Sequence, residues 1–178
     1  MNKLFLFSLL LITYLSQAQT YTPVDAQSSI TFKIKNFGIT MDGSVTGLSG
    51  DIRFDPRQLS SSKFDVTVEA NSIETGIELR NKHLKEENYF DVKTYPQIKF
   101  TSTKIETGSE NGFIITGKLT IKKTTQEIKF DFSASKQDIG YDFAGEFTLN
   151  RRDYHIGGSS FSMADELKVF LSVSCTQN

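Results

Sequence analysis

Three observations predict an all-β fold built on an antiparallel sheet of about eight strands that closes on itself or folds into a sandwich. Apolar and polar residues alternate strictly in at least six runs, the signature of half-buried strands. Most runs are joined by connections short enough to be hairpins. Every run has one apolar face, and the sequence supplies no second layer to cover it, so the sheet has to bury that face against itself.

The strands follow in order. The first, 28–35, sets Ile30, Phe32 and Ile34 against Thr31, Lys33 and Lys35. The second spans 40–54, and its apolar phase shifts across Gly47 and Gly50 as at a bulge or bend where a sheet curls. The third, 62–70, places Phe64, Val66, Val68 and Ala70 on one face, and a long connection from Asn71 to Pro96 leads to the fourth, 97–106, whose phase shifts between Phe100 and Ile105. Ser109-Glu110-Asn111-Gly112 carries the Asn-Gly turn signature and opens the fifth strand, 112–121, with Phe113, Ile115, Leu119 and Ile121 inward. Lys122-Lys123-Thr124 turns into the sixth, 126–135, bearing Ile128, Phe130 and Phe132, and the seventh, 141–150, bears Phe143, Phe147 and Leu149. A Gly- and Ser-rich connection from Arg151 to Asp165 precedes the eighth, 166–175, where Leu167, Val169, Leu171, Val173 and Cys175 stay in phase. Cys175 is the only cysteine, so no disulfide can form within the chain, and its phase marks a buried, unreactive thiol.

The long connection after the third strand is dense with charge. From Thr75 it reads TGIELRNKHLKEENYFD, with Ile77, Arg80 and Leu84 on one helical face and Glu78, Lys82 and Lys85 elsewhere, which predicts a short helix. Asn88 is placed to cap a further turn presenting Tyr89 and Phe90, and Tyr95-Pro96 forces an extended approach to Gln97. The connection is thus expected to be a helical crossover between strands three and four, lying across one end of the sheet.

Ahead of the strands, one Lys, an apolar run from Leu4 to Leu15 and Ser16-Gln17-Ala18 predict a secretory signal over 1–18, cleaved after Ala18 and leaving 19–178 as one domain. A run of roughly 12 residues is short of the roughly 20 that cross a bilayer, so no membrane span is expected in the mature form, and no Cys follows it to carry a lipid anchor. The protein is therefore expected to be secreted or periplasmic, as monomer or homodimer. The mature segment holds 19 basic and 21 acidic side chains, a balance that argues against a nucleic-acid partner. Fifteen Phe and no Trp are the compositional anomaly: they could fill a barrel or line one.

The residues also resemble a known family. Thr75, Arg80-Asn81-Lys82-His83-Leu84, Tyr89-Phe90-Asp91 and Tyr95-Pro96-Gln97-Ile98-Lys99-Phe100 are similar to the T…RDxHL…FFD…YPxIxF signature of the YceI-like polyisoprenoid-binding proteins. Ser28-Ser29-Ile30-Thr31-Phe32, Gly117-Lys118-Leu119-Thr120-Ile121 and Leu149-Asn150-Arg151-Arg152-Asp153-Tyr154 match further segments, so the similarity covers nearly the whole mature chain. Asn81 stands where the family usually has Asp, Lys122-Lys123 replaces a Gly and an apolar residue, and His155 replaces a Gly. The resemblance implies an eight-stranded, lipocalin-like barrel whose lumen holds an isoprenoid or other long-chain lipid. It favours a cavity over a filled core.

The expected lumen residues are Phe32, Ile34, Phe64, Val66, Phe100, Ile115, Leu119, Phe130, Phe132, Phe143, Phe147, Val169 and Leu171. Arg80, His83 and Arg151 are candidates for a polar head group, each with a structural alternative: an ion pair with Asp91 or Asp153 for the arginines, a local hydrogen bond for the histidine. An enzyme has little support. Asp153, His155 and Ser159 or Ser160 are the best triad available, but such residues in a Gly/Ser-rich loop ordinarily bond to local backbone. Two distant histidines do not make a metal site, and no cofactor motif is present.

Overall fold

The computed structural model describes residues 19–109 and 112–177; the expected signal segment lies outside the described residues. Ten strands form one antiparallel sheet: β1 (Thr20–Pro23), β2 (Ser29–Asn36), β3 (Ile39–Val45), β4 (Ser49–Arg53), β5 (Lys63–Glu69), β6 (Gln97–Thr107), β7 (Phe113–Ile121), β8 (Thr124–Gln137), β9 (Gly140–Asn150) and β10 (Met163–Gln177). Eight of them make a closed ring, β1-β4-β5-β6-β7-β8-β9-β10, with Tyr21–Pro23 of β1 returning to Cys175–Gln177 of β10. β2 continues alongside β10 where β1 leaves it, and β3 pairs with β2. The barrel therefore has eight staves, two of them each assembled from two segments.

The predicted second strand, 40–54, is broken into β3 and β4. Gly47 sits between them at φ +76, and a side chain there would collide with Glu69, its Cβ falling 2.5 Å from Cγ of that residue. The phase shift read across Gly47 is thus a strand break rather than a bulge. β1 went unpredicted: four residues ending in Pro23 are too short a run for alternation to register. Beyond that, the observed strands match the expected ones to within a few residues, including the Lys122 turn and the β6–β7 hairpin closed by Gly108 and Gly112.

β3 does not pair with β5. The seam is spanned instead by Ser44 and Glu74, whose N–H groups each donate to the other's carbonyl at 2.9 and 3.0 Å, and by the Ser72 hydroxyl at Thr46. Beyond that seam comes the predicted crossover, with helix α1 (Glu78–Leu84) between β5 and β6. Ile77, expected on its inner face, is instead the extended residue at the helix start, φ −131 and ψ 110, and is half exposed. It lies outside the helical period, so its spacing to Leu84 carries no facial meaning.

The interior divides in two. At the end holding both described termini, Phe54 is buried among Phe64, Phe113, Phe132, Tyr141 and Phe143, with ring centroids 5.2 to 6.2 Å apart and mostly edge to face. Tyr21 and Cys175 complete that packing. Burial pushes the Cys175 thiol up to about 12, with the Asp142 charge adding to it. At the opposite end Leu119, Ile121, Leu149, Tyr154 and Ile156 pack beneath the crossover, with Tyr89 and Phe90 from the turns after α1 laid over them.

Candidate ligand cavity

Between these two packed ends the inward side chains of β2, β6, β8, β9 and β10 leave space unfilled, although Phe130 stacks on Phe147 with ring centroids 4.9 Å apart. Phe32, Ile34, Phe100, Phe130, Phe147, Val169 and Leu171 face inward yet are only half-buried, because they border a cavity of about 280 Å³. All thirteen apolar residues expected in the lumen line it; Phe64, Ile115, Leu119, Phe132 and Phe143 are the fully buried ones, where the cavity meets the packed ends. Val68, from the apolar face of the third expected strand, and Leu84, Tyr89 and Phe90, from the expected crossover, also line it, as do Ile73 and Met163, which sequence reasoning did not name. Leu84, Tyr89 and Phe90 come from the crossover, so it forms part of the cavity wall.

Two glycines shape the wall. Gly43 pairs with Phe32 across the strands, and a Cβ there would fall 2.2 Å from Cζ of that ring. A Cβ on Gly117 would fall 2.5 Å from Cζ of Phe100. Both rings lie flat over bare backbone, which holds them against the sheet and out of the lumen.

The wall's polar groups are few and differ in what they have left to offer. Arg151, only 2% exposed, donates through Nε to the Ala164 carbonyl at 3.0 Å and through Nη1 to the Ile156 and Gly158 carbonyls at 2.9 Å each. Its Nη2 reaches Asp165 Oδ1 at 2.7 Å and the Met163 carbonyl at 3.5 Å. All five N–H groups are spent, and the partner carboxylate is Asp165, neither Asp91 nor Asp153. Arg151 therefore fastens the 151–165 connection, and as a head-group donor it is corrected to a structural residue.

Arg80 is held differently. Its Nε donates to Thr75 Oγ1 at 2.7 Å and its Nη2 to the Thr75 carbonyl, while Nη1 lies 3.9 Å from Met41 Sδ on the cavity wall. Among the described residues no carboxylate lies within ion-pair distance of it. Asn81, buried next to it, accepts from Thr75 N and Oγ1 at 2.9 and 2.6 Å and donates to Glu74 Oε1 at 2.6 Å. That bond, with those from Gly76 and Thr75 backbone, holds the Glu74 carboxyl below its ordinary value. His83 is exposed and absent from the wall, since Arg80 and Leu84 take the inner face of α1 and His83 falls beyond its edge. The head-group reading of His83 is corrected accordingly.

Two buried side-chain atoms lack any partner among the described residues, Asn36 Oδ1 and Tyr154 Oη. Burial, then the Asp153 charge, pushes the Tyr154 phenol up to about 12. No hydrogen bond joins Asp153, His155 and Ser159 or Ser160; Ser160 Oγ instead accepts from the backbone of Ser162 and Met163. Among the described residues no three His, Cys, Asp or Glu converge to hold a metal ion, and no helix is long and apolar enough to cross a membrane. A second depression, about 430 Å³ at the terminal end, is ringed by Asp55, Arg57, Lys136 and Tyr141, and its ion pair and polar rim suit no apolar ligand.

Comparison with known proteins gives the same frame. The YceI-like domain matches residues 21–175. A UPF0312 protein of Pectobacterium carotovorum is 30% identical over 151 residues, spanning 81% of this chain and 78% of its own length. Protein YceI of Salmonella agona is 26% identical over 185 residues, spanning 97% and 95%. Among solved structures, BcnA of Burkholderia cenocepacia superposes with a TM-score of 0.80 at 24% identity, over 85% of this chain and 98% of that one. A polyisoprenoid binding domain from Saccharophagus degradans, implicated in plant cell wall breakdown, superposes with a TM-score of 0.70 at 14% identity, over 90% and 99%. These likenesses are of fold.

Proposed function

The chain belongs to the YceI-like family, and from that premise we propose that it is a binding protein that sequesters or carries an isoprenoid or similar long-chain amphiphile in the barrel lumen, without chemistry of its own. The observation that carries this reading is the 280 Å³ cavity walled by Phe, Ile, Leu and Val between two packed ends. A core meant only for stability would close such a space, since each unfilled methyl-sized void costs about 1 kcal/mol. Binding draws on the hydrophobic effect, at roughly 25 cal/mol per Å² of tail removed from water.

The volume also limits what fits. A cavity of about 150 Å³ takes up a benzene ring, so 280 Å³ corresponds to on the order of a dozen carbons with the walls as they stand. A longer polyprenyl tail requires the half-buried rings to move or the chain to extend past the wall. The expected signal over 1–18 would put this activity outside the cytoplasm.

The test is native mass spectrometry of protein purified from a membrane-containing extract, followed by titration with long-chain lipids. One apolar molecule per chain, released on denaturation, is the expected result. Protein that carries no lipid and takes none up would overturn the reading and favour a ligand-free structural module.

A further inference from the structure

Among the described residues, the cavity wall carries one cation with no carboxylate within ion-pair reach and one buried amide oxygen with no hydrogen-bond partner. Thr75 grips Arg80 on its Nε and Nη2 sides, which fixes the guanidinium plane and leaves Nη1 turned toward Met41. Among the described residues its link to a carboxylate is indirect, from Thr75 Oγ1 to Asn81 Oδ1 and from Asn81 Nδ2 to Glu74. Met41 faces Ile34 across the β2–β3 ladder, and Asn36 is two residues further along the same face of β2. One pleat repeat is roughly 7 Å, so Arg80 and Asn36 stand within reach of one head group at one end of the cavity. Asn36 Oδ1 is buried without a partner among the described residues.

Resting on the carrier reading above, we propose that Arg80 and Asn36 clamp the head of the ligand, and that this head is a carboxylate. A carboxylate carries one negative charge, which matches the single uncompensated cation. It has two acceptor oxygens, one for Arg80 Nη1 and one for the Asn36 amide nitrogen. A diphosphate head needs further cations, and the other arginine on the wall, Arg151, has no donor left. A hydrocarbon end or an ester leaves the guanidinium charge unanswered, in a wall whose other side chains are almost all apolar.

The test compares dodecanoate, 1-dodecanol and methyl dodecanoate, probes with one tail and three ends, by calorimetric titration at neutral pH. The expected order is dodecanoate tightest, by about tenfold or more over the ester, from one charge-assisted hydrogen bond gained. R80Q should erase that preference, bringing acid and ester affinities together, and N36A should reduce it. Where R80Q does not fold, N36A and R80K carry the comparison: loss of preference in N36A with retention in R80K supports the clamp. Equal affinity of acid and ester for the wild type, or a preference that survives undiminished in R80Q or in N36A, overturns the clamp but leaves the cavity reading standing. Absence of binding by all three probes refutes the clamp and removes the carrier reading with it.

Discussion

Replacing Arg151 by Met removes the fastener of the 151–165 connection. The guanidinium is buried, and its loss strips donors from the Ile156, Gly158 and Ala164 carbonyls and leaves Asp165 with only Arg152, 3.9 Å away, as an ion-pair partner among the described residues. Asp165 has a side chain 48% exposed and can rehydrate, so the cost falls mainly on the carbonyls, of which Ile156 is buried. Orphaned buried acceptors cost about 1–3 kcal/mol each, and broken buried pairs about 3–5 kcal/mol, which places R151M at about 3 kcal/mol of lost stability. For a domain of this size each kcal/mol lowers the melting temperature by about 2–4 °C, giving a drop of roughly 6–12 °C by calorimetry or circular dichroism. R151K should recover only part of it, because a point ammonium cannot reproduce the fork. D165N keeps an acceptor for Nη2 but leaves the buried guanidinium without its carboxylate, so it too should destabilise, by less than R151M. An R151M protein within about 1 kcal/mol of wild type would refute the assignment of Arg151 as the structural anchor of this connection.

Adding a methyl at Gly43 should swing the Phe32 ring into the lumen, costing about 1–3 kcal/mol and weakening uptake of a dodecyl tail, both readable by melting and titration; unchanged tail binding in G43A would mean the ring does not border the ligand. H155G should stabilise by about 0.5–1 kcal/mol in urea denaturation, because His155 is exposed and holds φ +55, a left-handed conformation that a side chain resists. In the wild type, the Glu74 carboxyl held low by Asn81 contributes stability that is present above its ordinary value of 4.5 and lost as pH falls through its lowered value. N81D sets two carboxylates together, so its destabilisation should be greatest at neutral pH, ease on acidification and be relieved by E74Q, all measurable by thermal melts against pH. Cys175 should resist iodoacetamide at pH 8 in the folded protein and react once unfolded, as followed by mass spectrometry; rapid labelling of the native state would contradict its burial.

The barrel was legible because its signal is local: alternation reports which side of a strand faces inward, and all thirteen residues so identified border the cavity. Whether those residues meet across the lumen is set by sheet curvature and by partners distant in sequence, which alternation does not encode. Gly43 and Gly117 carry that information in retrospect, each an inward position left bare beside a Phe ring. The polar residues were harder still. Arg80 and Arg151 look alike in the sequence, and only the three-dimensional run of carbonyls at 156, 158, 163 and 164 shows that one is fully occupied. Asn36 was invisible because its significance is a missing partner, and absences are not written in a pattern of residue types.

The return of β1 to the last residues of β10 sets Tyr21 opposite Gln177, at the barrel end away from α1. Anything fused or tethered at either described terminus is thereby attached to the aromatic floor, with Arg80, Asn36 and the helical crossover on the far side. A chain immobilised through a tag on a sensor surface would face its crossover end to the solution. A fluorescent domain appended after Gln177 would likewise leave the Arg80 end unobstructed.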